Sequence, residues 1–379
     1  LPPGCDVLLT AGADDQTAVQ TALIQAAPNS TVCFSAGTFT FTTELSLDVQ
    51  GVTLRGAGAA ETVFDFSNQD TGGNGLLIRS DGCAVEMLQI LNTPGDGIRG
   101  DAVTGIAFRD MAVMWDADAS VDNGAYGLYP VGSTDVVIER CVVKGARDAG
   151  IYVGQSTGIQ VVDSEVYGNV AGIEIENSTD AIVRRNYAHD NTGGILVFNL
   201  PGLDVGDGKR TNVYENIIEN NNVPNFGVPG TTVSLIPPGV GVLVLAADEN
   251  EVANNEIRGN ASVGIAIIAY VDDLFPPPED AEFDIYAETN WIHDNVLEGN
   301  GEMPADLILL ATGGAAPGPD ILLDGCFDAA KDNADGSLSN CISNEDGVAF
   351  VSADLCGQSM IETDPTNYTC EHAPLPREL

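Results

Sequence analysis

The sequence predicts an all-β chain folded as a right-handed, single-stranded parallel β-helix, with an N-terminal capping helix and a disulfide-rich C-terminal tail. Two periodic signals and one set of interruptions point there. A glycine followed by an alternating apolar run recurs at Gly97-Ile98, Gly127-Leu128, Gly150-Ile151, Gly172-Ile173, Gly194-Ile195, Gly241-Val242 and Gly264-Ile265, with spacings of 22 or 23 residues through the central stretch. That period is one coil of a solenoid, which buries its apolar face only by stacking on its neighbours. Glycine is expected to supply the tight corner of each coil. In a second register run Asn186 and Asn191, Asn216 and Asn221, Asn255 and Asn260, and Asn295 and Asn300, with Ser164 and Asn169 as a variant. Asparagines stacked in this way can hydrogen-bond from coil to coil and satisfy polar groups where the backbone turns inward.

Other elements follow from this frame. Asp14 and Asp15 can cap a helix whose apolar positions Ala18, Val19, Ala22, Leu23 and Ala26 keep helical spacing, ending near Pro28 and plugging the first coil. Capping is expected at both ends, because an open solenoid end is a sheet edge able to recruit another chain. The chain divides into residues 1–50 as cap helix and first strands, 51–300 as coils, and 301–379 as a final coil and cap. Just before the asparagine register stand Asp110, Arg140, Asp163, Arg185, Glu215, Asn254 and Asp294, which reads as a ladder of alternating charge. Eight cysteines occur, four of them in the last 55 residues, without zinc-type spacing. Disulfides fit better, and with them an oxidising compartment. Cys5 is expected to pair with Cys33, and Cys326, Cys341, Cys356 and Cys370 to form two bridges of unspecified connectivity. Cys83 and Cys141 occupy apolar repeat positions and read as buried thiols.

With 56 acidic and 14 basic residues the formal net charge is −42, which leaves no basic stripe for phosphates and disfavours nucleic acid. The charge suits solubility and a salty or calcium-containing exterior, so calcium is the one cofactor it suggests. No stretch reaches the ~20 apolar residues of a membrane span. The opening Leu1-Pro2-Pro3-Gly4-Cys5 reads as an already processed chain, and the expected location is extracellular or at the cell surface.

Insertions at Asp116–Asn123, Leu200–Arg210, Val223–Val240 and Asp272–Glu288 interrupt the period, all beside one strand column. Loops inserted on one side of a solenoid mark its binding face. Alternation along that strand turns Tyr129, Val131, Tyr152, Gly154, Glu174 and Glu176 outward, followed by Leu196, Phe198, Leu243, Leu245, Ala266 and Ile268. The face is thus aromatic and acidic at one end and apolar at the other. Tyrosines beside carboxylates suit sugars, rings packing on apolar sugar faces and acids accepting hydroxyls. The candidate cleft is therefore Tyr126, Tyr129, Arg147, Asp148, Tyr152, Gln155, Glu174 and Glu176, with no catalytic assignment among them. His189 is a candidate acid or base, or a turn histidine bonded to backbone. Glu174 with Glu176 could form a carboxylate pair or a calcium site, and Asp204 with Asp207 is a weaker calcium suggestion.

The segments Asn123-Gly124-Ala125-Tyr126-Gly127-Leu128-Tyr129-Pro130-Val131, Asp148 to Ser156 and Gly172 to Ser178 resemble a family of secreted bacterial parallel β-helix repeat proteins of the pectate-lyase-like superfold, over residues 10 to 300 or so. That family has no assigned activity, so the resemblance implies fold and export. The chain also distantly resembles mannuronan C5-epimerases, which carry Tyr-Gly-Phe-Asp-Pro-His at a catalytic strand. Here the stretch reads Tyr126-Gly127-Leu128-Tyr129-Pro130-Val131, without the aspartate or the histidine. Two functional readings follow. One is an extracellular structural or surface protein, a self-assembling filament subunit that buries the strip Leu196, Phe198, Leu243, Leu245 and Ile268 against another copy. The alternative is a polysaccharide-active lyase or epimerase, or a noncatalytic carbohydrate-binding protein, with an extracellular polysaccharide as partner.

Overall fold

A computed structural model describes residues 1–271, 275–314, 316–344, 347–357 and 360–378. Asp272 to Leu274, the start of the last predicted insertion, and Leu379 lie outside the described residues. The chain winds as a right-handed parallel β-helix with three sheets of 12, 11 and 10 strands among the described residues, each strand pairing in parallel with its equivalent one coil away. The glycine-led strands Tyr126–Val131, Ala149–Gly154, Ala171–Glu176 and Gly193–Phe198 stack in the 11-stranded sheet. There Leu128, Ile151, Ile173, Ile195, Val242 and Ile265 align in one fully buried interior column. The first strands lie before residue 51 and a final coil after residue 300. Val7–Leu9 already pairs with Thr31–Phe34, and Phe350–Ser352 closes the 11-stranded sheet.

The N-terminal helix, α1 (Asp15–Gln25), plugs the first coil as expected. Asp14 accepts from the Thr17 N–H, while Val19 and Leu23 are buried. Asp15 does more than its sequence position suggests. Its two oxygens accept from Gly12 N and Thr40 N, at 2.7 and 2.9 Å, and so fasten the helix to the sheet beneath. Cys5 pairs with Cys33, the tail forms Cys326–Cys356 and Cys341–Cys370, and Cys83 and Cys141 are buried free thiols.

The glycine column has a different cause from the one expected. None of these glycines is left-handed. A Cβ on Gly127, Gly172 or Gly194 would instead lie 2.5 Å from the carbonyl oxygen of the glycine one coil on. The turns are made by residues with side chains, since Asp110, Arg140, Asp163, Arg185, Glu215, Asn254 and Asp294 all have φ between 51° and 57°. Holding non-glycine residues there is costly, and the hydrogen bonds at each turn offset it. The charged column resolves into separate ion pairs rather than a continuous ladder, Arg140 on Asp110 at 2.8 Å and Arg185 on Asp163 at 2.6 Å. These are exposed and contribute little.

The asparagine ladders are continuous. Asn186, Asn216, Asn255 and Asn295 each pass both the side-chain and backbone N–H to the next side-chain oxygen, and Asn169, Asn191, Asn221 and Asn260 do likewise, the second ladder ending where Asn300 accepts from Asn260. A third ladder at the remaining corner, Asn250 to Asn290 to Asn340, escaped the sequence reading. Asn216 also donates to Val183 O, so Asn216→Ala strands several buried polar atoms at once. It is expected to cost about 2–3 kcal/mol, measured by urea unfolding. A loss under about 0.5 kcal/mol would show that the ladder contributes nothing.

Candidate functional site

The outward face of the 11-stranded sheet carries the candidate site, and its register is fixed by strand pairing. One column runs Leu77, Arg99, Tyr129, Tyr152, Glu174, Leu196, Leu243 and Ala266. A parallel one runs Asp101, Val131, Gly154, Glu176, Phe198, Leu245 and Ile268.

The second half of this face is inside the molecule, which corrects the assembly reading. Leu196, Phe198, Leu243 and Leu245 are at most 4% exposed, and Ile268 is half-buried. They pack with Val233 and Ile236 of the Val223–Val240 insertion, with Phe275 and Phe283 of the following one, and with Ile308 of α2 (Asp306–Ala311). The chain's own insertions bury the apolar strip that was assigned to another copy. What remains there is an apolar cavity of about 480 Å³ bounded by Leu243, Ala266, Ile268, Ile308 and Leu322.

The first half is open, and the three tyrosines meet on it. Ring centroids lie 4.5 Å apart for Tyr126 and Tyr129, 4.7 Å for Tyr126 and Tyr152, and 4.9 Å for Tyr129 and Tyr152. Arg99 sits 5.0 Å over the Tyr129 ring and holds Asp101 at 2.9 Å. Asp96 and Asp148 flank Tyr126. Burial pushes Asp96 up to about 6, against the pull of Arg99 and of the Tyr126 backbone N–H. Burial, reinforced by the Glu176 charge, pushes Asp148 up to about 7, although the Tyr126 hydroxyl and Arg147 favour its ionised form. Behind them the Tyr152 hydroxyl donates to Glu176 Oε1 at 2.7 Å. Glu174 and Glu176 share a hydrogen bond, and burial raises both; Glu174, raised well above its ordinary value, holds the proton. The Glu174 Oε2 atom is buried without a hydrogen-bond partner. Burial lifts the Tyr126 and Tyr152 phenols far above their ordinary value, so both stay protonated donors.

Two predicted members serve the walls. Arg147 donates to Asn123 O at 2.9 Å and Val121 O at 3.3 Å, stapling the Asp116–Asn123 insertion. Gln155 accepts from Asp204 N at 3.1 Å and ties down the Leu200–Arg210 insertion. His189 lies away from the site, in the 10-stranded sheet. It bonds carboxylates, Asp190 at 2.7 Å and Glu165 at 3.1 Å, where a backbone partner was expected. Asp204 and Asp207 line an acidic cavity of about 570 Å³ with Asp248, Asp280 and Asp284. Asp248, Asp284 and Glu288 converge closely enough there to hold a cation, and the Lys331 ammonium supplies one, 2.6 Å from both Asp284 and Glu288.

Sequence reading missed Asp96, Arg99 and Asp101. The signal was available, since Gly97 aligns with Gly127 and so puts Asp96 in register with Tyr126 and Arg99 with Tyr129.

The chain matches the family model described as right handed beta helix region over residues 117–274. No curated protein matches it in sequence. Its fold is similar to that of the A-module of the Azotobacter vinelandii mannuronan C-5 epimerase AlgE4, at a TM-score of 0.54 and 16% identity over 92% of this chain and 93% of that one. The A-module of the AlgE6 epimerase from the same organism gives 0.57 and 16% over 90% and 92%. The periplasmic alginate epimerase AlgG gives 0.50 and 14% over 92% and 81%. The chain is thus a right-handed parallel β-helix protein whose fold distantly resembles that of the mannuronan epimerases.

Proposed function

We propose that this is an extracellular polysaccharide-active enzyme that binds a glycan over Arg99, Tyr129 and Tyr126 and uses Asp148 and Asp96 for proton transfer. The observation that carries the reading is two carboxyl groups on either side of one tyrosine, both held above the ordinary carboxylate range by burial, on an open aromatic floor. Near neutral pH, Asp148 keeps a larger share of its proton and suits a general acid, while Asp96 is ionised and suits a general base. Such a pair fits cleavage of a glycosidic bond, the acid protonating the departing oxygen and the base activating water. The carboxyl groups Asp96, Asp101, Asp148 and Glu176 stand against Arg79, Arg99 and Arg147 here, while Glu174 keeps its proton. With no excess of positive charge to meet a uronate's carboxylates, the site suits an uncharged glycan better than a uronate polymer. The three disulfides suit an oxidising exterior.

The test is incubation with a panel of neutral and uronic polysaccharides, following new reducing ends. Turnover is expected on a neutral member, with a bell-shaped pH profile whose limbs lie near the two values above. Tyr129→Ala is expected to raise KM about 10-fold by removing a stacking surface. A noncatalytic binding role has its own support, because Tyr129 and Val131 stand where the epimerase motif has its aspartate and histidine. Binding without turnover on any polymer would establish that role instead.

A further inference from the structure

Taking the open face as a polysaccharide site, we propose that it is closed at one end and receives the terminus of a glycan chain, so that the protein works from chain ends rather than along the interior of the polymer. The inference rests on how exposure changes from coil to coil. Arg99 and Tyr129 are half-buried, Tyr152 is 5% exposed, Glu174 3% and Leu196 fully covered. In the neighbouring column Asp101 and Val131 are half-buried, Glu176 is 8% exposed and Phe198 1%. The floor therefore passes under a roof within two coils.

That roof is anchored rather than loosely laid. Val233 and Ile236 pack on the same apolar cluster as Leu196 and Phe198, with Leu200 and Phe226 against it. The Asn225 side-chain amide bonds Val233 O and Ile236 O, both at 2.9 Å. Asn177 reaches Leu200 O and Val205 O, at 3.0 and 2.7 Å. In the other direction the floor stays partly exposed as far as Ser46, where the Gln20 side chain of α1 meets the strand edge. Leu77 and Ser46 continue the column half-buried, and Arg79 and Asp48 form an exposed ion pair. A pyranose ring is about as long as the ~4.8 Å spacing of stacked strands. A glycan lying along the solenoid axis thus presents about one sugar per coil, and the leading sugar stops at Tyr152. The closed end is lined for hydroxyls. It holds the Tyr152 phenol, which donates to Glu176 and keeps its oxygen free to accept, with the buried Glu174–Glu176 pair behind it. A terminal sugar has a free hydroxyl where an internal one has a glycosidic link, and groups placed to bond it reject the substituted form.

The experiment uses the full chain and hexasaccharides of cellulose, β-mannan, chitin and alginate. Each is offered free, labelled at the reducing end by reductive amination, or methylated at the terminal hydroxyl of the non-reducing end, and binding is read by affinity electrophoresis. Blocking one end is expected to weaken binding at least about 10-fold, while blocking the other changes it less than about 2-fold. Equal binding of both capped forms and the free form would overturn end recognition and leave the polysaccharide site standing as an open cleft. If no hexasaccharide and none of the parent polymers binds, the polysaccharide reading itself fails and the proposal falls with it.

Discussion

Asp148→Asn is expected to lower turnover by a factor of about 100 to 1,000, the usual contribution of a positioned general acid, and to raise stability at alkaline pH. The sign of the second effect follows from proton linkage. The Asp148 carboxyl holds its proton up to about 7 in the folded chain, well above its value in an unfolded one. Between those two values the folded state binds more protons. The stability this carboxyl contributes is therefore complete below its unfolded value and lost as pH rises through about 7. Above that pH a charge stands half-buried beside Glu176, and the amide removes it. A gain of about 1–2 kcal/mol at about pH 8 is expected, vanishing near pH 4. Thermal unfolding at the two pH values, with turnover measured in parallel, checks both halves. A variant that loses activity and is equally destabilised at both values would make Asp148 a packing residue.

Gly194→Ala is expected to cost roughly 3 kcal/mol, at the upper end of overpacking. The added methyl carbon would lie 2.5 Å from Gly241 O, 2.6 Å from Ile218 Cγ2 and 3.0 Å from the Asn221 amide nitrogen. Two of these belong to the next coil's backbone and to an asparagine ladder, so relief requires coils to separate. Gly206→Ala is the control, because nothing lies within 4 Å of its added carbon and its φ is unstrained. It is expected to stay within about 0.5 kcal/mol of the parent. Denaturant unfolding of both variants distinguishes close approach from the entropy of a lost glycine, which would affect them similarly.

Which parts were legible in the sequence follows from how local each cause is. The period and two of the three ladders depend on identical residues recurring at a nearly fixed distance, and so can be seen in a string. The glycines were found for the right positions and the wrong reason, since a conformational need and a steric one leave the same letter. Tyr129, Tyr152, Glu174 and Glu176 followed from alternation along consecutive strands, and Tyr126 from its place beside them. Arg147 and Gln155 were drawn to the right place but turn out to hold walls, a matter of side-chain direction that spacing does not encode. The apolar strip was misassigned because Leu196, Phe198, Leu243 and Leu245 read alike whether a neighbour or an insertion covers them. Residues 223–240 and 275–288 follow no period, and their path over the sheet depends on long-range contacts.

The regular register of the 11-stranded sheet has an evolutionary corollary. Because the coils from Gly97 to Gly172 meet through the same close approach of a glycine to the next glycine's carbonyl, a whole coil can be duplicated or deleted between Asp96 and Ala149 while the glycine junctions remain native in kind. Each such event moves Asp96 relative to Asp148 by one strand spacing and leaves the insertions beyond Phe198 untouched. Descendants of this gene could thus diverge in reach by discrete steps, with the coil as the unit of inheritance and the point mutation reserved for the residues that each step brings into line.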